Sequence, residues 1–213
     1  MILSRLRLLG LAGVLCGCKA QTGPSLSSVA RVSPVKAESA AKADLRGDLL
    51  NYETPLVQLI SEQPLHKSRI ALRVEKSRYR LTVLYRGKAV KSYPIVLGAN
   101  PVDDKRFEGD NCTPEGHFAL TVVRAHRSWS RFMLLNYPTA VSRQRFRRAK
   151  RDGVIAQNAT IGGAVGIHGV PNHADQAIDR GQNWTAGCIS LKTHDIEEVS
   201  SVCRAGTPVL ITH

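Results

Sequence analysis

Acid is what this 213-residue chain is short of: 17 Asp and Glu stand against 30 Lys and Arg, a formal net charge of +13. That imbalance points to an anionic partner. Aromatic residues make up only 5% of the chain, and none lies between Lys19 and Asp44. This stretch, rich in Ser, Ala, Val, Pro and Lys, cannot bury enough surface to offset the entropy of ordering it, and it reads as a tether. Fully extended, such a segment reaches on the order of 90 Å; as a flexible coil it reaches roughly 30 Å. Neither CxxC nor HExxH occurs, which removes the short metal patterns. There is no internal repeat and no boundary for a second globular domain. What remains is one good-sized domain with appendages, and 43% hydrophobic content is ordinary for a packed fold.

Long apolar runs are missing as well. The run Leu8 to Cys16, preceded by Arg5 and Arg7, is too short to span a bilayer and has the order of a secretory leader. Its end, Leu15-Cys16-Gly17-Cys18, resembles the lipobox of bacterial lipoproteins, in which a cysteine after a small residue is acylated and becomes the new N-terminus. The resemblance implies cleavage after residue 17, lipid on Cys18 and a stable membrane anchor. Lys19, rather than Asp, after the lipidated residue implies the outer membrane. For an exported protein the anionic partner is then lipid head groups or a carboxylate-bearing wall polymer, and nucleic acid explains only the charge.

Cysteine is scarce in the folded part. Of five, Cys16 belongs to the leader and Cys18 to the anchor, so Cys112, Cys188 and Cys203 remain, an odd number that leaves at least one free thiol. A Cys112–Cys203 bridge would leave Cys188 reduced, but spacing alone does not decide whether the two sulfurs meet.

Cys188 lies in Thr185-Ala186-Gly187-Cys188-Ile189-Ser190, twenty positions after His168 in Ile167-His168-Gly169. A thiol attacks as thiolate, so a catalytic cysteine is expected to have its pKa depressed by an imidazole or a positive dipole. His168 is the candidate base. Gly187 permits the backbone N–H groups of Ala186, Gly187 and Cys188 to turn toward an oxyanion. A lone cysteine or histidine is ordinarily an inert, satisfied group, but here each stands at a glycine-bordered end of an apolar run. His168, His173, Cys188 and His194 are all potential zinc ligands whose spacing fits no short metal pattern, so neither a metal nor another cofactor is expected.

The globular part starts with helix signals over Leu45 to Gln63, with Asp44 and Thr54-Pro55 as candidate caps and Leu56, Leu59 and Ile60 on one face. From Arg69 the period becomes two. Ile70, Leu72 and Val74 alternate with polar residues, as do Leu81, Val83 and Tyr85 before the turn Arg86-Gly87-Lys88. Further strands are expected over Val90 to Leu97, His117 to Val123, Phe132 to Asn136, Ala164 to His168 and Pro208 to Thr212. Ser142, Phe146 and Ala149 share a helical face inside the cationic run Arg143 to Arg151, which reads as a solvated face or a substrate clamp. A last helix is expected with Thr193 or Asp195 as cap, Ile196, Val199, Val202 and Cys203 as its buried stripe, and Gly206 as its stop. The fold class is therefore mainly β with a few short helices.

Taken together, these segments resemble the YkuD-type L,D-transpeptidase family of bacterial cell-wall enzymes, whose signature is a His, a spacer and then Ser/Thr-His-Gly-Cys. Arg80 to Leu84, Lys91 to Gly98 and Thr113 to Phe118 are similar to the family's opening strands, and Gly206 to Ile211 to its closing strand. Ala186 stands where most members have His, and Ser190 where many have Asn or Arg. With Glu108-Gly109-Asp110 and Leu135-Asn136-Tyr137-Pro138, these departures resemble the YafK/DpaA-like branch, which includes an enzyme that releases a murein-bound lipoprotein.

The resemblance implies a β-rich fold around a Cys/His cleft and a division into leader (1–17), lipidated cysteine and tether (18–44), helical lead-in (45–68) and catalytic domain (69–213). It implies acyl transfer through Cys188 on peptidoglycan stem peptides, with His168 as base and Gly169 orienting the imidazole through its carbonyl. Thr185, Ser190 and Trp184 are candidate substrate contacts. His117 and Tyr137 are further cleft candidates, and His173 and Asp175 lie in the spacer loop. Two alternatives stay open: hydrolysis that frees a protein or peptide from the wall, and a non-catalytic peptidoglycan-binding lipoprotein.

Overall fold

A computed structural model describes residues 49–60 and 64–213. The expected leader, Cys18, the tether and residues 45–48 of the lead-in lie outside the described residues.

Alternating apolar residues build the sheet. In β1 (Ile70–Glu75), Ile70, Leu72 and Val74 are buried and their neighbours half-buried. It pairs antiparallel with β2 (Arg80–Tyr85), which pairs antiparallel with β3 (Lys88–Pro94). The chain continues through β4 (Gly116–His126), β5 (Ser130–Leu135), β6 (Gly166–Gly169), β7 (Ile189–Leu191) and β8 (Pro208–Thr212). The eight-stranded order is β3-β2-β1-β8-β4-β5-β6-β7. β4 joins the two halves: Gly116 to Ala119 pair with β8, and Leu120 to His126 pair with β5 after a register shift. A shift of this kind bends and twists a strand. The continuation of β3 then bridges to the opposite end of the sheet, Val96 to Ser190 and Gly98 to Thr185, so the sheet curls until its two ends meet.

Four α-helices are described, α1 (Leu56–Leu59), α2 (Ala140–Arg151), α3 (Gln176–Asp179) and α4 (Thr193–Val202), with 3-10 turns at Lys67–Arg69 and Pro171–His173. Ile196, Val199, Val202 and Cys203 are buried as the sequence pattern predicts. The capping differs from expectation. Thr193 is the first helical residue, with Lys192 at the cap position, because its N–H and hydroxyl both donate to Asp175 Oδ1, at 2.7 and 3.2 Å. Pro55 rather than Thr54 occupies the cap position of α1. On α2 the arginines are exposed and only Ser142, Phe146, Ala149 and Lys150 are half-buried, with Thr139 Oγ1 accepting from Ser142 N–H at 3.1 Å. Cys112 and Cys203 are both buried and free, so they form no bridge; Cys112 lies in the loop before β4 and Cys203 at the C-cap of α4.

The lead-in is fastened by buried polar groups of α4. Glu198 accepts from the Leu56 N–H, from Lys91 Nζ at 2.7 Å and from Tyr93 Oη at 2.8 Å. Tyr52 Oη donates to Asp195 Oδ2 at 3.0 Å. Leu50 O accepts from Ser92 N–H at 2.9 Å, which covers part of the β3 edge.

Burial raises the Asp195 carboxyl to about 6, although Tyr52, Lys192, His194 and Lys91 act in the opposite direction. The folded state therefore holds this proton more tightly than the unfolded chain does. The cost is absent below about pH 4 and complete above pH 6. Asp195→Asn keeps an acceptor for Tyr52 and removes the charge. It is expected to stabilise the domain by roughly 1 to 3 kcal/mol at pH 7.5 and to have little effect at pH 4, measured by thermal melts at both pH values. A change that is equal at both pH values contradicts this.

Candidate active site

The parallel pairing of β6 with β7 places the two motif residues side by side. Ile167 is in register with Ile189 and His168 with Ser190, so Cys188, just before β7, stands next to Gly166. Side chains alternate along a strand, so Ile167 and Ile189 enter the core while His168, Cys188 and Ser190 share the other face. His168 is buried and Cys188 is half-buried.

The imidazole is held on three sides. Trp129, in the turn between β4 and β5, stacks on it with centroids 4.3 Å apart and planes at 22°, and His126 stacks on the outer face of Trp129 at 4.3 Å. Trp184 meets it edge-on at 5.5 Å. His168 Nδ1 lies 2.7 Å from the Gly169 carbonyl, which accepts only if Nδ1 carries the proton. Nε2 is thereby left as the unprotonated nitrogen, the form a base requires. Gly169 is where the resemblance puts it, and its size matters: its N–H donates to Trp129 O at 3.1 Å, and a Cβ there would stand 2.6 Å from that oxygen.

No hydrogen bond joins Cys188 to His168 among the described residues. The thiol donates to Ala164 O at 3.7 Å and accepts from Gly166 N–H at 3.4 Å. Its pKa is raised, not depressed as expected: burial pushes it up more than the Gly166 N–H and Lys105 pull it down. Burial also lowers His168 to about 4; the Gly169 contact opposes this and His126 adds to it. At rest the pair is thus neutral thiol and neutral imidazole. Ion-pair formation is left to the reaction, where the bonding geometry tightens.

The turn before the sulfur is tied by Thr185. Its Oγ1 donates to Cys188 O at 2.7 Å and accepts from Gly187 N–H at 3.2 Å. Thr185 is buried and braces the loop, which makes it a structural residue of the motif. The Gly187 N–H is therefore engaged, which removes it from the expected oxyanion group and leaves the N–H groups of Ala186 and Cys188 without a bond among the described residues. Gly187 has φ +133°, and a Cβ there would lie 2.5 Å from Cys112 O. Only glycine satisfies both constraints.

Ser190 is fully buried beside His168, and neither its Oγ nor the Trp184 Nε1 has a hydrogen-bond partner among the described residues. Trp184 packs on Val96, Val170 and Ile178, walling the site. The remaining candidates are elsewhere employed. Tyr137 Oη donates to Ile161 O at 3.2 Å, Asp175 anchors Thr193, and His117 and His173 are exposed. His194 is exposed on α4, and no group of three or more His, Cys, Asp and Glu stands ready for a metal among the described residues. Sequence reasoning missed Trp129, His126, Lys105 and the β7 strand itself. A tryptophan among the polar residues of the hairpin turn Arg127 to Ser130 was the available signal for the first.

The model of the YkuD L,D-transpeptidase catalytic domain matches residues 69–211. The chain belongs to the YkuD family. No curated protein matches it. Among solved structures it is similar to the helical cell shape determining protein Pgp2 from Campylobacter jejuni, at 21% identity and TM-score 0.50, covering 76% of this chain and 55% of that one. It also matches an L,D-transpeptidase from Stackebrandtia nassauensis, at 12% identity and TM-score 0.47 over 85% and 68% of the two chains. A third match is an L,D-transpeptidase from Mycobacterium smegmatis, at 13% identity and TM-score 0.45 over 68% and 59%. The chain spans little more than half the length of Pgp2. The YkuD fold is thus the one described above, an eight-stranded curled sheet with few short helices.

Burial predicts that the His168 ring titrates near pH 4, against about 6.5 for a solvated imidazole. Side-chain NMR of the His168 ring across pH 3 to 8 tests this, and a midpoint between 6 and 7 contradicts it.

Proposed function

We propose that this domain is a cysteine acyltransferase acting on peptidoglycan stem peptides, an L,D-transpeptidase in which Cys188 carries the acyl group as a thioester. The observation that supports it most is the β6–β7 pairing that sets Cys188, just before β7, beside Gly166 and on the same face as His168, with Nδ1 committed to Gly169 and Nε2 left as base.

His168 Nε2 takes the thiol proton while Sγ attacks the carbonyl carbon of the third stem residue. The N–H groups of Ala186 and Cys188 receive the oxyanion. Collapse breaks the amide bond, and His168 returns the proton to the leaving amine. An amine acceptor attacks the thioester next, giving its proton to His168, and the Cys188 sulfur leaves and is reprotonated. Because both partners start neutral, His168 buried and Cys188 half-buried, charge appears only as the reaction proceeds, in surroundings where fixed dipoles act strongly.

Water in place of the amine gives hydrolysis from the same intermediate, releasing a protein or peptide from the wall. Ala186 brings in this second reading, since a methyl group replaces the family's usual imidazole within the oxyanion turn itself. On either reading the domain works at the end of its tether, with lipid on Cys18 holding it to the periplasmic face of the outer membrane and the cationic α2 facing anionic polymer.

Cys188→Ala is expected to lower turnover of purified peptidoglycan by roughly 10⁴-fold or more without loss of folding. Product mass separates the readings: a cross-link keeps the acyl group in a dimer, and hydrolysis adds one water. Unchanged turnover in the variant contradicts the proposal, as does wall binding by both proteins with turnover by neither.

A further inference from the structure

An ion pair that acyl transfer does not itself require is buried beside the Thr185–Cys188 turn. Lys105 Nζ donates to Asp110 Oδ1 at 2.8 Å and to Phe107 O at 3.1 Å, and only 4% and 7% of the Lys105 and Asp110 side chains are exposed. Asp110 also accepts from the N–H groups of Arg106, Phe107 and Cys112 at 2.6, 3.0 and 3.0 Å. Burial presses its carboxyl upward, but Lys105 and these three donors hold it below the usual carboxylate range. The loop is pinned at its base too: Lys76 Nζ, fully buried, donates to Asp103 O at 2.7 Å and to Glu115 Oε1 at 2.8 Å. The ammonium of Lys105 is therefore fixed in position.

That position is next to the nucleophile's backbone. A Cβ built on Gly187 would lie 2.5 Å from Cys112 O and 3.7 Å from Lys105 Nζ. With glycine there, no side chain separates the ammonium from the turn that presents Cys188. An ammonium has three N–H groups, and Asp110 and Phe107 take two of them. A buried ion pair adds little to stability over an apolar pair of the same volume. Lys105 offsets the buried Asp110 carboxylate, and the same ammonium stands against Gly187.

We infer that Lys105 is a positioning residue for the reaction: its buried ammonium, held by Asp110 and Phe107 against Gly187, favours negative charge on the Cys188 sulfur and on the oxyanion beside it. The inference rests on Cys188 being the nucleophile. Lys105 is buried, so it acts through the field it places across Gly187. Its effect on the thiol has the required sign, opposing burial. Among the described residues the other titratable groups around the turn are His168 on β6, neutral above about pH 4, Cys112 against Gly187, whose thiol burial pushes up to about 11, and Asp110, whose charge Lys105 offsets.

Alkylation of Cys188 by iodoacetamide tests this without peptidoglycan, so its outcome stands apart from that of the wall-turnover assay. Rates are followed from pH 6 to 10 on the full chain by peptide mass, with the buried Cys112 and Cys203 read separately. Lys105→Met should raise the apparent pKa of Cys188 and slow alkylation at pH 7 by about tenfold. Lys105→Arg should restore it. Asp110→Asn keeps an acceptor for the loop N–H groups and leaves the ammonium uncompensated, so it should speed alkylation. A residue that only braced the loop would move the Met and Asn variants the same way. Opposite shifts support the inference. Shifts of one sign, or a Lys105→Met profile that matches the wild type, overturn it. If Lys105→Met does not fold, Asp110→Asn decides: faster alkylation supports the inference, and unchanged or slower alkylation overturns it.

Discussion

The site depends on one short stretch of parallel pairing, Ile167 to Gly169 against Ile189 to Leu191. Three register positions bring residues twenty apart in the chain onto one face. Slipping the register by a single residue would put His168 in the core and an isoleucine in the site. The surrounding structure enforces the register from both sides. Met133 and Phe132 of β5 pair with Ile167 and His168, and Val96 exchanges both backbone hydrogen bonds with Ser190 at 2.9 Å. The second contact exists because the sheet curls, so closure of the fold and construction of the site are the same event.

Burial then determines the chemistry available to the pair. In water a thiol and an imidazole near neutral pH differ little in the cost of ionising; here desolvation raises the thiol and lowers the imidazole, driving both toward neutrality. The Gly166 N–H and the Lys105 ammonium work against that on the sulfur side, while Gly169 fixes the tautomer on the imidazole side. The aromatic stack of Trp129, His126 and Trp184 excludes solvent and keeps the ring upright. The result is a resting site with no net charge of its own, backed by one buried cation.

Much of this was legible in the sequence, for physical reasons that differ by element. Alternation announced β1 and β2, while β5 and β8 read as short apolar runs between turns. The α4 stripe was equally plain. The proposed nucleophile and base could be named because each stands at a glycine-bordered end of an apolar run. β7 was hidden because it is only three residues long, too short for the alternation of Ile189, Ser190 and Leu191 to stand out. The capping of α4 was misread because a distant carboxylate, Asp175, takes the Thr193 groups that would otherwise signal a cap. The role of Thr185 in tying the turn, and with it the loss of the Gly187 N–H, depended on backbone curvature that residue types alone do not encode. Trp129, His126 and Lys105 reach the site from a hairpin turn and a loop distant in sequence, and only the closed sheet brings them there.

The fold, the neutral pair and the family membership together support the proposed passage of an acyl group through the Cys188 sulfur. The direct measurement is interception: incubate the full chain with a purified stem-peptide substrate and increasing hydroxylamine, and follow products by mass. An acyl-enzyme on Cys188 predicts a stem-peptide hydroxamate that grows with hydroxylamine at the expense of the other products and is absent with Cys188→Ala. Continued bond cleavage with no hydroxamate at any hydroxylamine concentration would contradict the account.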